Sequence, residues 1–291
     1  MRAVTGFEDY ELIDTSSGEK LERWGDIILI RPDPQIIWNT EKANPLWYNA
    51  HARYHRSSSG GGNWEKYKNV PEQWSIKFKN ITFNLKPMGF KHTGLFPEQA
   101  VNWDLMASLI RKRASQGKES KVLNLFGYTG AATLACLEAG AAVTHVDASK
   151  GMVLWAKDNA ASSGLSDRPV RWLVDDCIKF VKREIRRGNK YDGIVMDPPS
   201  YGRGPNGEIW KLEEQIYDLL ILCGQLLSDD PMFFLLNSYT TGLSPSVMKY
   251  LVSTVIAKKH GGRVECDEIG IPVTDSGLVL PCGNTAVWTS D

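Results

Sequence analysis

The sequence predicts an α/β protein, with a mostly parallel, doubly wound sheet preceded by a small β-rich domain. Two patterns carry the prediction. From residue 121 onward, short apolar runs alternate with longer amphipathic ones, as strands alternate with the helices that cover them. Before residue 90 the runs are shorter and are broken by Ser-Gly and Gly-Asp turns. A third observation says where to look for function. Four of the later apolar runs close on a glycine turn or an aspartate, and ligands of such sheets bind outside the carboxyl ends of the strands.

Taken in order, residues 10–13, 21–24 and 27–30 read as short strands. Residues 75–78 and 81–85 read as a hairpin that turns at Lys79-Asn80. Between them, Ser57-Ser58-Ser59-Gly60-Gly61-Gly62 reads as a flexible low-complexity loop. The α/β series begins with a strand at 122–126 and a helix at 131–139, ended by Gly140. A strand at 142–146 and a helix at 150–163 follow, stopped by Gly164. Next come a strand at 170–174, a helix at 178–187, a strand at 193–196 and a helix at 212–227. A strand at 232–237 and a helix at 246–259 lead to closing strands near 263–271 and 284–289. The expected division is a β-rich domain, residues 1–90, that reads the substrate, and a domain of residues 91–291 that carries the chemistry.

Composition narrows the function. The 291 residues are 42% hydrophobic and 23% charged, ordinary for a globular protein with a sizeable core. Lys+Arg and Asp+Glu both number 34, so any surface that binds nucleic acid must be local. The five cysteines are scattered and form no CxxC pair, which argues against a zinc site or a disulfide frame and implies no metal. No apolar run approaches the roughly 18 to 20 residues of a membrane span, and the amino terminus lacks a signal-peptide profile. A cytoplasmic protein with no membrane partner is expected.

The first strand of the series runs into Asn124-Leu125-Phe126-Gly127-Tyr128-Thr129-Gly130 and then a helix. Glycines there permit a tight turn and close backbone approach, and the helix start offers amide donors. By itself the turn is a weak signal, shared by structural corners and by sites for nicotinamide or flavin dinucleotides, although it is not the GxGxxG that a pyrophosphate prefers. Asp147 closes the second strand, 20 residues after Gly127, where a carboxylate can accept both hydroxyls of a ribose. The plainer alternative is a helix cap before Ser149. Asp175-Asp176 closes the third strand, where one carboxylate could take an adenine amino group and either could cap the next helix.

The fourth strand ends in Asp197-Pro198-Pro199-Ser200-Tyr201. Two prolines stop the strand, stiffen its exit and leave carbonyls as acceptors. Asp197 can accept a proton or hydrogen bond from a base or sugar. Tyr201 offers a stacking face, worth on the order of 1–3 kcal/mol per base in single-strand binders. The bland alternative is a turn whose tyrosine is core.

Glycine turn, two acidic strand ends and the DPPSY corner, in this order, resemble a class I S-adenosylmethionine-dependent methyltransferase over roughly residues 85 to 290. More narrowly, Asn124 to Gly130, Asp197 to Tyr201 and the segment His92-Thr93-Gly94-Leu95-Phe96-Pro97-Glu98-Gln99 resemble the bacterial 23S ribosomal RNA methyltransferases, a group with cytosine-C5 and guanine-N7 enzymes. The resemblance implies a Rossmann-like fold, S-adenosylmethionine as cofactor and RNA as partner. It implies Asn124, Phe126, Gly127, Tyr128, Thr129, Gly130, Asp147, Asp175 and Asp176 as cofactor contacts. It places Asp197, Pro198, Pro199 and Tyr201 at the reacting base.

Cysteine usage bears on the atom methylated. Cytosine C5 is a poor nucleophile and needs covalent addition at C6, normally by a thiolate. The C5 enzymes of this group place a cysteine just after strand five, where this chain has Asn237-Ser238-Tyr239-Thr240-Thr241-Gly242. Nitrogen methylation, which needs no covalent nucleophile, is therefore favoured over carbon. In front of the α/β series, Trp47, Tyr48, His51, Arg53, Tyr54, His55, Arg56, Trp64, Lys66, Tyr67, Lys68 and Trp74 interleave aromatic with basic side chains. Residues 51–79 hold six Lys/Arg against two Glu, a local +4. Such a segment suits single-stranded RNA, and equally suits a small core of its own. Phe90, Lys91 and His92 could reach the site. Two further readings stay open: a methyltransferase of the same fold acting on a protein or small molecule, and an inert RNA-binding module.

Overall fold

The computed structural model describes residues 1–57, 61–89, 91–203 and 209–290. Positions 58–60 of the low-complexity loop, and Phe90, lie outside the described residues. The chain forms two compact units. The larger comprises Met1–Arg2, Asn102–Ile269 and Gly283–Asp291, and the smaller comprises Ala3–Val101 and Gly270–Cys282.

In chain order the first strands are β1 (Arg2–Ala3), β2 (Tyr10–Ser16), β3 (Glu19–Trp24), β4 (Ile27–Pro32), β5 (Ala52–Arg56), β6 (Gly62–Lys66), β7 (Trp74–Phe78) and β8 (Ile81–Leu85). Then come α1 (Ala100–Ser115), β9 (Lys121–Leu125), α2 (Ala131–Glu138), β10 (Ala142–Asp147), α3 (Lys150–Ser162), β11 (Val170–Val174) and α4 (Cys177–Arg187). The rest is β12 (Gly193–Met196), β13 (Tyr201–Arg203), β14 (Ile209–Lys211), α5 (Leu212–Cys223), β15 (Phe233–Ser238), α6 (Pro245–Val252), β16 (Arg263–Pro272) and β17 (Val279–Thr289).

The larger unit is built on an eight-stranded sheet in the order β1-β16-β17-β15-β12-β9-β10-β11. β11, β10, β9, β12 and β15 run parallel, and β17 returns antiparallel beside β15. The parallel strands are apolar throughout because helices shield both faces. Leu123, Leu125, Ile194, Met196, Phe234 and Leu236 form one buried cluster with Phe180 of α4, Leu219 of α5 and Met248 of α6. α2 and α3 pack on each other and on β10. Strand order reverses between β9 and β12, so the switch point falls between their carboxyl ends. Register aligns those ends: Leu125 pairs with Val146 and Met196, and Met196 pairs with Leu236. The next residues, Phe126, Asp147, Asp197 and Asn237, thus follow a common row.

Local chemistry sets the helix boundaries. Ser149, Asp176 and Ser244 each accept the amide of the third residue beyond, which caps α3, α4 and α6. Gly188 in the left-handed region closes α4. Among the helices, three features differ most from expectation. Helix α1 was not anticipated, although Trp103, Met106, Ala107 and Ile110 are buried at helical spacing. Helix α5 ends at Cys223 rather than 227, because Leu227 bridges Tyr191 beside the sheet. After α6 a π turn at Ser253–Ala257 follows, where the Thr254 hydroxyl donates to the Tyr250 and Leu251 carbonyls.

In the smaller unit β2 to β6 form a five-stranded sheet in chain order, and β7 with β8 forms the expected hairpin. β5 and β6 were not anticipated as strands, since both are half exposed and the turn-rich segment between them masks their alternation. Under the sheet, Glu22 accepts two bonds from Arg31, at 2.6 and 2.7 Å, and one from the Tyr10 hydroxyl at 2.8 Å. Burial alone would raise the Glu22 carboxyl, but Arg31 and Lys20 hold it down, at about 2. The aromatic segment divides. Trp47 and Tyr54 are buried, and the Trp64 and Trp74 indoles donate to the Met88 and Trp24 carbonyls. Tyr48 and Tyr67 are exposed, as are Arg56, Lys66 and Lys68. No helix among the described residues is long and apolar enough to cross a membrane.

Candidate active site

The turn after β9 is strained and tightly tied. Phe126 and Tyr128 adopt φ of 56° and 50°, in the left-handed region where a side chain costs roughly 1–2 kcal/mol. Such strain persists only when the surroundings enforce it. Here the Phe126 amide donates to Cys177 Sγ at 3.4 Å and the Gly127 amide to the Val146 carbonyl at 3.0 Å. The Tyr128 amide donates to Asp147 Oδ2 at 2.8 Å, and the Gly130 amide to the Gly127 carbonyl at 2.9 Å. Four amides of the turn are therefore spent inside the protein. A phosphate cradle needs such amides free, so the geometry disfavours a pyrophosphate and suits an uncharged sugar.

The glycines are required by close packing. A Cβ on Gly127 would overlap the imidazole of His145, and one on Gly130 would stand 2.8 Å from Ala156 Cβ. His145 is wholly buried beneath the turn, against Trp172 at 5.0 Å between ring centroids. Its Nδ1 bonds the Thr133 hydroxyl, which in turn receives the Asn124 amide. Burial lowers the imidazole to about 3, so it is neutral. Asn124 is thus a strut beneath the turn. His145 and Thr133 complete it, and sequence reasoning passed over both.

Asp147 lies half buried at the end of β10. Its oxygens accept the amides of Tyr128 and Ser149, each at 2.8 Å. Burial raises its carboxyl above the usual range, and the two amide bonds act in the opposite direction. A carboxylate has about four lone-pair sites, so capacity for two more donors remains. Beyond β11, Asp175 pairs with Arg183, while Asp176 Oδ1 caps α4 through the Lys179 amide at 2.8 Å. Thr129 is buried, and its carbonyl accepts the Asn159 amide at 2.9 Å.

Across the switch point, the corner after β12 is pinned to the loop after β15. Asn237 Nδ2 donates to Asp197 Oδ1 at 3.0 Å, and the Ser200 and Thr240 hydroxyls share a bond of 2.6 Å. Pro198 is buried and Pro199 exposed. The Pro199 carbonyl, expected to stay available, accepts the Trp210 indole N–H at 2.6 Å. Trp210 sits on the short β13–β14 hairpin and meets Phe126 with ring centroids 5.5 Å apart. Tyr201 opens that hairpin opposite Lys211 and is half exposed. The structure thus sets Trp210 against both Phe126 and the Pro199 carbonyl, a wall that a three-residue strand gives no periodicity to reveal.

Other sequence candidates stand on different elements. Lys91 and His92 belong to the smaller unit, where burial lowers both and holds the His92 ring at about 4. Cys136, Cys177 and Cys223 are buried in helices, and burial pushes all three thiols up. Among the described residues no cluster of three His, Cys, Asp or Glu could hold a metal ion.

Comparison with known proteins bears on this arrangement. Residues 37–237 match the profile of a family described as S-adenosylmethionine-dependent methyltransferases. A crystal structure of an S-adenosylmethionine-dependent methyltransferase from Agrobacterium tumefaciens is 36% identical. The match covers 100% of this chain and 93% of that one, with a TM-score of 0.92. A Streptococcus mutans methyltransferase shares the fold at 18% identity, over 98% of this chain and 76% of that one, with a TM-score of 0.75. Among curated relatives, the ribosomal RNA large subunit methyltransferase K/L of Shewanella frigidimarina is 32% identical over 158 residues. That match covers 53% of this chain and 20% of the relative. The protein of the same name from Colwellia psychrerythraea is 29% identical over 150 residues, or 51% and 20%. The matched region is thus about a fifth of the length of these two relatives.

Proposed function

Because the chain belongs to the S-adenosylmethionine-dependent methyltransferase family, we propose that it methylates a base nitrogen in structured RNA of the large ribosomal subunit. The observation that carries this reading is the acid-proline corner at the switch point. Asp197 is held there by an amide, with no thiol in the loop that follows β15. The names of the curated relatives support ribosomal RNA as the acceptor.

The residues fit the family's cofactor, which supplies an activated methyl group on a positively charged sulfur. Asp147 has lone pairs left for a ribose diol, and no free row of turn amides invites a phosphate. Gly127 keeps the turn close to β10 and Gly130 keeps it close to α3, Phe126 and Trp210 offer aromatic faces, and Asp176 retains Oδ2 for an adenine amino group. On the acceptor side, Asp197 takes the hydrogen of the base nitrogen, which raises that nitrogen's electron density as it attacks. Pro198 and Pro199 fix the backbone so that the carboxylate does not follow the base, and Tyr201 stacks on it. A base inside a helix must leave its stack to reach such a corner. The smaller unit supplies RNA contacts through Tyr48, Tyr67, Arg56, Lys66 and Lys68, which are exposed.

The test is methyl transfer from tritiated S-adenosylmethionine to RNA and to protein from a strain lacking the gene. We expect label in large-subunit RNA and its loss with Asp197→Ala. Label confined to protein, or transfer undiminished in that variant, refutes the proposal.

A further inference from the structure

Four buried or half-buried polar side chains from separate segments of the larger unit lie in series behind Asp197. Arg2 Nη2 donates to Asn102 Oδ1 at 3.2 Å, and Asn102 Nδ2 donates to the Thr285 hydroxyl at 3.1 Å. That hydroxyl donates to Asn237 Oδ1 at 2.6 Å, and Asn237 Nδ2 donates to Asp197 Oδ1 at 3.0 Å. Asn102, Thr285 and Asn237 are each at most 1% exposed. Ladder register places Thr285 directly beside Asn237, on neighbouring strands β17 and β15.

The ends of the series fix its direction. Arginine can only donate, so it turns the Asn102 carbonyl toward itself and the Asn102 amide toward Thr285. Thr285 has one hydrogen, which must then go to the Asn237 carbonyl. Asn237 is left with its amide facing Asp197, and an ionised carboxylate can only accept. Every member has one orientation, and reversing any link would set donor against donor or acceptor against acceptor. Buried polar groups are costly unless all are satisfied, so a one-way chain of this kind resists rotation of any single side chain.

We propose that Asn237 and Thr285, anchored by Asn102 and Arg2, are positioning residues that lock the Asp197 carboxylate in the orientation that receives the acceptor base. The inference rests on the role given to Asp197 above. The chain touches neither base nor methyl donor. It acts by preventing the carboxylate from turning away, so its loss lowers turnover and leaves binding of the adenosyl ligand intact.

The experiment compares Thr285→Val, Thr285→Ser, Asn237→Asp and Asp197→Asn in the full chain. Tritium transfer to large-subunit RNA from a strain lacking the gene is measured at saturating S-adenosylmethionine. Affinity for S-adenosylhomocysteine is measured by calorimetry. Valine keeps the shape of threonine and removes the relaying hydroxyl; serine restores the hydroxyl. Thr285→Val should lower kcat about 10-fold or more with S-adenosylhomocysteine affinity within about 2-fold, and Thr285→Ser should recover most of the rate. Asn237→Asp, which replaces the amide donor with a second carboxylate, should behave like Thr285→Val and serves if the valine variant does not fold. Asp197→Asn abolishing transfer while Thr285→Val and Asn237→Asp turn over normally overturns the relay and leaves the role of Asp197 standing. Normal transfer by Asp197→Asn overturns both. Equal loss in the valine and serine variants also overturns the relay.

Discussion

At position 127 the absence of a side chain matters because of what lies beneath. The His145 ring fills the space that a Cβ would take, so alanine there forces the turn away from β10. Asp147 depends on the same turn, since the Tyr128 amide supplies one of its two bonds. Gly127→Ala and Asp147→Ala should each weaken S-adenosylhomocysteine binding tenfold or more in calorimetry, with the fold retained. Unchanged affinity in Asp147→Ala would remove that carboxylate from the site. These residues were legible in the sequence because each stands at or just beyond the end of a strand, and the strands themselves were legible. The relay was not. Arg2, Asn102, Thr285 and Asn237 come from four distant segments, and no local spacing links them. Trp210 escaped for a related reason, standing on a strand of three residues that shows no period.

Among the elements, β10 carries a consequence for pH. His145 is neutral in the fold, with its imidazole lowered by burial from an ordinary 6.5 to about 3. Below pH 6.5 the unfolded chain takes up a proton that the folded chain refuses. Stability conferred by the neutral ring is therefore full above about 6.5 and lost as pH falls toward 3, by about 1.4 kcal/mol per pH unit. Urea unfolding at pH 7, 6 and 5 should show stability falling more steeply in the wild type than in His145→Gln. Equal slopes would mean the ring is not held neutral. The elements around β10 followed from apolar alternation, since parallel strands shielded on both faces are nearly all apolar. Helix α1 has the same kind of signal, with Trp103, Met106, Ala107 and Ile110 on one face, yet it precedes the first strand of the series and was passed over. β5 and β6 were harder, because a half-exposed strand rich in Arg, His and Lys looks like a binding segment before it looks like a sheet.

At the level of the whole molecule, neutral net charge and a compact methyltransferase unit leave the acceptor to be decided by chemistry at one corner. The segment that most suggested RNA proves to be divided. Trp47 and Tyr54 are core, the Trp64 and Trp74 indoles bond backbone, and Tyr48 and Tyr67 with the nearby Arg56, Lys66 and Lys68 face outward. The sequence could show which residue types were present and not which side of β5 and β6 each would face. The most direct test is mass spectrometry of nucleosides from large-subunit RNA of a strain lacking the gene, complemented with wild type or with Asp197→Ala. One nitrogen-methylated nucleoside should be missing, restored by the wild type and not by the variant. An unchanged set of nitrogen-methylated nucleosides, or loss of a carbon-methylated one instead, would contradict nitrogen methylation of ribosomal RNA.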